Sequence, residues 1–200
     1  MAIVTETARA GITCDLQKHH LEEDCRQLLN EPNLFTDVTI LVDGQRFPAH
    51  KLFLAMRSPV FAAMFSHKLK ENETNEVHIE DTDPEVVQAM LEFIYTDRVS
   101  NITPLARDLL AVADKYNLVG LKTMCEEKLY ETLQTDNAGE ILMLAEMYGS
   151  SDFVSCVIGF VSDHFRDIVQ TEAFDEVNSV EILKRLMDAL AAKKRRRAHA

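Results

Sequence analysis

The chain has 200 residues, 46% of them hydrophobic and 27% charged, a balance too apolar for a disordered protein and long enough for one large or two small cores. Formal net charge is −12, and five of the 21 basic residues stand together at positions 193–197, which leaves the body before them at −17. So acidic a body repels nucleic acid and anionic membrane, which excludes broad binding to either.

The longest nearly apolar run, Phe153 to Val161, is nine residues broken by Ser155 and Gly159. A membrane span needs about 20, so a soluble chain is expected. The N-terminus has neither a basic start nor an apolar stretch, and no secretory signal is expected there. Four cysteines, Cys14, Cys25, Cys125 and Cys156, form no Cys-x-x-Cys pair. Free thiols in a reducing, intracellular setting are the expectation.

In chain order, residues 1–14 carry no period and read as a loose lead-in. From Asp15 to Asn30 the spacing predicts a helix with Leu21, Cys25, Leu28 and Leu29 on one stripe, ended by Glu31-Pro32-Asn33. Val38 to Val42 is β-branched and apolar, Asp43-Gly44 is a hairpin turn signal, and Gln45-Arg46-Phe47 is the returning strand. A helix is predicted from Ala49 to Met56. Ser58-Pro59 restarts it, with Ser as cap and Pro at the first helical position. Glu71 to Glu76 reads as a loop and Val77-His78-Ile79 as a third strand.

Asp83-Pro84 repeats the cap-and-proline signal before Val86, Val87, Met90, Leu91 and Ile94, which fall on one helix face. Pro104 opens a further helix with Leu105, Leu109, Leu110, Val112 and Ala113, and Leu121 to Leu133 follows. Beyond Leu133 only helical signals remain. Asn137 with Glu140 resembles a capping box for a helix to Met147. Ser151 to His164, a shorter piece from Glu172 to Val177, and Ser179 to Leu190 complete the series.

Catalytic chemistry finds little footing. No Gly-x-Ser-x-Gly elbow is present, and His19, His20, His67, His164 and His199 are scattered. His19 and His20 are adjacent and point apart on a helix, so no metal site is expected. His164 sits at a helix end, where a cap is its simplest role. Six glycines build no phosphate-cradling loop. A non-enzymatic protein without a cofactor is expected.

Several strings together resemble a BTB (POZ) domain. They are Phe35-Thr36-Asp37-Val38, Phe47-Pro48-Ala49-His50-Lys51, and the run from Leu54 through Ser58-Pro59-Val60-Phe61 to Phe65. Val77 to Asp83, Met90 to Thr96 and Leu109 to Tyr116 continue the likeness in order. With Leu121 to Glu126 the chain is most similar to the speckle-type group of that family, over residues 20–165. The resemblance implies an α/β BTB domain of short strands surrounded by helices at residues 15–133. An all-α BACK-like segment at 134–192 and a basic tail at 193–200 would follow.

The resemblance also implies roles. Leu21, Cys25, Leu28 and Leu29 match the apolar stripe of the family's dimer helix, and Phe53 the position packed on it by a partner. Asp37 and Lys51 match the charged pair near the dimer axis. Phe65 with Leu69-Lys70-Glu71 fits the apolar-x-Glu motif of members that bind cullin-3, so a dimeric cullin-3 adaptor in ubiquitination is expected. A nuclear scaffold of transcriptional regulators without a cullin is the alternative. Speckle-type members carry a MATH domain, for which the roughly 20 residues ahead of the dimer helix are too few. Mixed dimers with MATH-containing relatives are therefore a further expectation. Lys193, Lys194, Arg195, Arg196 and Arg197 read as a nuclear-import signal, with nucleus first and cytoplasm second as the expected location.

Overall fold

The computed structural model describes residues 21–31, 34–66 and 74–198. Helix α1 (Leu21–Asn30) leads into a hairpin of β1 (Val38–Val42) and β2 (Gln45–Ala49), then α2 (Lys51–Arg57), α3 (Pro59–Ser66) and β3 (Glu76–Ile79). The sheet has the order β2-β1-β3, with β1 antiparallel to β2 and parallel to β3. A parallel neighbour requires a crossover, and α2 and α3 supply it.

The hairpin turn follows its chemistry. Asp43 and Gly44 both adopt positive φ, 46° and 77°, the combination that matches the twist of a two-residue hairpin. β2 extends two residues further than predicted, through Pro48 to Ala49. The ring is tolerated because β2 is an edge strand. Opposite Pro48, Thr39 turns its own N–H away to the Asn75 carbonyl at 2.9 Å, so the missing donor breaks no ladder bond. On β1, Val38, Ile40 and Val42 are buried and alternate with half-buried Thr39 and Leu41.

Helix α4 (Pro84–Thr96) lies at the centre of the core. Val86, Val87, Met90, Leu91 and Ile94 are buried, and so are Ala89, Phe93, Tyr95 and Thr96, which puts neighbours on most of its circumference. Its predicted cap is only half formed: Asp83 has extended backbone, but its side chain makes no capping bond. α5 (Ile102–Lys115) begins two residues before Pro104, which occupies its first turn, where no N–H is needed. α6 (Val119–Glu131) packs on α5, burying Leu121, Cys125 and Leu129.

The C-terminal part is helical, comprising α7 (Ala138–Tyr148), α8 (Ser151–Asp163), the short turns α9 (Phe165–Ile168) and α10 (Glu172–Asp175), and α11 (Val180–Ala198). The capping box predicted at α7 does not form. Asn137 spends its amide on the preceding turn, accepting from Gln134 N–H at 2.8 Å and donating to the Thr132 carbonyl at 2.9 Å. Glu140 reaches Arg107 instead. α8 has its cap at Ser150, whose Oγ accepts from Phe153 N–H at 3.2 Å. At its other end His164 donates Nδ1–H to the Phe160 carbonyl at 3.0 Å, the capping role expected. α11 lies on α8 through Ile182 and Leu186, both almost fully buried.

Candidate functional site

Residues implied in self-association sit on α1, α2 and the segment between α1 and β1. The stripe of α1 divides between two environments. Cys25 is buried against the chain's own core, with Leu28 and Leu29 half-buried on it, while Leu21 is 77% exposed. α1 packs on α4, and its polar flank is fixed there by Arg26, whose Nη1 donates to Glu92 at 2.9 Å. Phe53, on α2, stacks on Tyr95 of the same chain at a centroid distance of 4.5 Å and remains half-buried.

The segment before β1 is held by His50, which stands in the second family string without a role of its own. His50 Nε2 lies 2.7 Å from the Leu34 carbonyl, an acceptor only, so this nitrogen carries the proton. Nδ1 is then the acceptor for the Tyr95 hydroxyl at 2.7 Å, and the same phenolic oxygen accepts the His50 backbone N–H at 2.9 Å. Burial pushes the Tyr95 phenol up to about 12, which keeps it the neutral donor this arrangement needs.

Pinned by that network, the next residue, Phe35, has φ 59° and is 83% exposed. A bulky aromatic in the left-handed region, turned to solvent, is an unusual pairing. Its sequence signal was present, since Phe35 opens the first family string. What was missing was any sign that its side chain would be left uncovered.

Asp37 and Lys51 do meet, through the backbone of one of them. Lys51 is the first residue of α2, and its N–H donates to Asp37 Oδ1 at 2.7 Å, so the carboxylate caps that helix from a distance in sequence. The Lys51 ammonium donates to Asn75 Oδ1 at 2.6 Å and lies 5.5 Å from the Phe65 ring centroid. Within the single chain Asp37 is exposed.

Phe65, near the end of α3, is half-buried and stacks on Phe61 at 6.1 Å. Leu69 and Glu71 lie outside the described residues. Among the described residues no group of three or more His, Cys, Asp and Glu is placed to hold a metal ion, and no helix is long and apolar enough to cross a membrane.

The basic run stands on a helix. α11 continues past position 192 to Ala198, because Ala191-Ala192 favours helix and cations suit its C-terminal end. Lys193 is anchored, donating to Asp163 at 2.6 Å and to the Ser162 carbonyl at 3.1 Å, whereas Lys194 and Arg195 are exposed. Arg196 and Arg197 follow on the same helix.

A three-stranded sheet with one parallel neighbour, enclosed by helices, and the ordered strings along it have a counterpart among known families: the model of the BTB/POZ domain matches residues 25–133. The chain belongs to the BTB/POZ family. BTB domains are interaction modules of adaptors and scaffolds and are generally non-enzymatic. Among solved structures the chain is similar to the BTB domain of zebrafish PATZ1, with 24% identity over 55% of this chain and 88% of that one and a TM-score of 0.48. It is likewise similar to the BTB domain of human gigaxonin, with 22% identity, 62% and 98% coverage and a TM-score of 0.46.

Proposed function

We propose that this BTB protein is a non-enzymatic, dimeric adaptor that brings cullin-3 to substrates for ubiquitination. Membership of the family over residues 25–133 carries the reading. The likeness to the speckle-type group narrows it, with Leu69-Lys70-Glu71 following α3 where cullin-binding members have an apolar-x-Glu motif. Exposed Leu21 and Phe35, alongside half-buried Leu28 and Phe53, favour self-association, since large apolar side chains left uncovered want a partner. The segment after position 133 serves as a BACK-like extension in this reading. Chemistry of ubiquitin transfer would reside in other subunits, and no cofactor is invoked. Mixed dimers with MATH-containing relatives would couple the chain to a substrate-binding domain.

Binding of purified chain to cullin-3 tests the reading. Leu69→Asp should weaken it by about 2 kcal/mol or more and Glu71→Ala by less, with folding and self-association kept. Unchanged binding in both variants would remove the cullin assignment. Light scattering of Leu21→Asp/Leu28→Asp should show a monomer where the unaltered chain shows a dimer. A dilute unaltered chain that is already monomeric would sink the dimer.

Nuclear import is a separate proposal. Ala at Lys194, Arg195 and Arg196 should shift a tagged chain to the cytoplasm; retention in the nucleus would reduce the run to a helix end.

A further inference from the structure

At the foot of α1, five side chains from three parts of the chain form one linked set. Glu22 and Arg26 come from α1, Glu92 from α4, and Arg98 and Ser100 from the connection between α4 and α5. Glu92 Oε1 accepts both Arg26 Nη1, at 2.9 Å, and the Ser100 hydroxyl, while Oε2 accepts the Ser100 N–H at 3.0 Å. Glu22 Oε1 in turn accepts Arg26 Nη2 at 3.3 Å and Arg98 Nε at 3.1 Å. Because Arg26 and Ser100 reach one and the same oxygen, the hydroxyl and the guanidinium are neighbours.

Charge in this set is balanced, with two guanidiniums against two carboxylates. Glu92 is largely covered, its side chain 16% exposed, whereas Ser100 is exposed on the loop. Burial alone would push the Glu92 carboxyl up; the Ser100 hydroxyl and amide, with Arg26, outweigh it and hold the group below the usual carboxylate value. Arg98, two residues ahead of Ser100, is 70% exposed and gives the hydroxyl a basic flank of the kind an acidic kinase groove can grip.

We propose that Ser100 is a phosphoacceptor whose phosphate loosens α1 from the domain. In the transfer, Ser100 Oγ attacks the γ-phosphorus of a nucleoside triphosphate held by a protein kinase. The new O–P bond forms as the bond to the β,γ-bridging oxygen breaks, the nucleoside diphosphate leaves, and the hydroxyl proton passes to the kinase's base. The product loses the donor that Glu92 Oε1 held and gains about −1.5 to −2 of charge beside that carboxylate. Phosphate competes with Glu92 and Glu22 for Arg26 and Arg98. The set turns net negative, and both of its carboxylates, one of them on α1, are repelled. Loss of α1 docking follows from this alone; weaker self-association rests on the reading of α1 as the dimer helix.

The test treats the full chain with ATP and an arginine-directed protein kinase, with Ser100→Ala in parallel. Mass spectrometry should locate one phosphate at Ser100, absent from the variant. Hydrogen exchange of the amides of residues 21–30 should accelerate by about tenfold, and the dimer dissociation constant should rise by a similar factor. No phosphate at Ser100, or a phosphorylated chain with unchanged exchange over α1, would overturn the inference. If the untreated chain is monomeric, the dimer reading fails by itself, and the exchange rate of α1 still decides the role of Ser100.

Discussion

The Ser58 hydroxyl donates to the Tyr116 carbonyl at 2.6 Å while accepting the Phe61 N–H at 3.2 Å. One fully buried oxygen thereby starts α3 and fastens it to the end of α5, where Tyr116 also stacks on Phe61 at 4.6 Å. Ser58→Ala removes a helix cap and strands a carbonyl in the core, which should cost about 1–3 kcal/mol. Urea unfolding would measure it; a loss within a few tenths would mean that water replaces the hydroxyl.

Tyr95→Phe keeps the stacked ring against Phe53 but removes both hydrogen bonds to His50. The His50 amide and Nδ1 are then left without their partner, at a cost of about 1–3 kcal/mol. Exchange should rise most for amides from Leu34 to Val38, because the imidazole that holds the Leu34 carbonyl loses its own anchor. Uniform destabilisation across the chain would argue against this local role.

Alkaline unfolding should be steep. Burial pushes both Tyr95 and Tyr116 up to about 12 from an ordinary value of 10. Their folded values are raised, so the stability they confer is intact below pH 10 and declines as pH climbs toward 12, where the unfolded chain sheds protons that the folded chain keeps. The buried Cys125 thiol, likewise raised to about 12, acts in the same direction from its ordinary 9. The urea midpoint followed against pH, with tyrosinate absorbance alongside, checks this. Ionisation of both phenols near pH 10 without unfolding would contradict their burial.

Gly139→Ala should be disruptive despite the better helix propensity of Ala. A Cβ at Gly139 would overlap the backbone carbonyl of Ala173, so α7 and the α10 turn approach closely only because no side chain stands between them. Overpacking of this kind costs about 1–3 kcal/mol, against the fraction gained in propensity. Thermal melting that shows a stabilised variant would mean that the α10 turn is free to move away.

Local signals in the sequence determined a good part of this protein. Alternation fixed β1 over Val38 to Val42, the Asp43-Gly44 pair fixed the turn, and Ser58-Pro59 fixed the start of α3, since each depends on a few neighbouring residues and their own φ preferences. The apolar period likewise marked the buried face of α4. Where local chemistry had a competitor, tertiary contacts decided. Asn137 turned to the preceding loop, and Glu140 to Arg107 thirty-three residues away, so a correct cap motif went unused. Pro48 could join a strand only because β2 lies at the edge, a fact of sheet order invisible in the residues themselves. The candidate surface shows the same division. Leu21, Cys25, Leu28 and Leu29 share a period, yet packing on α4 takes Cys25 inward and leaves Leu21 outside. His50, Tyr95 and Leu34, and the five-residue set around Glu92, join positions up to 78 apart, as Glu22 and Ser100 are. No period relates such residues, and only the folded chain brings them within hydrogen-bond reach.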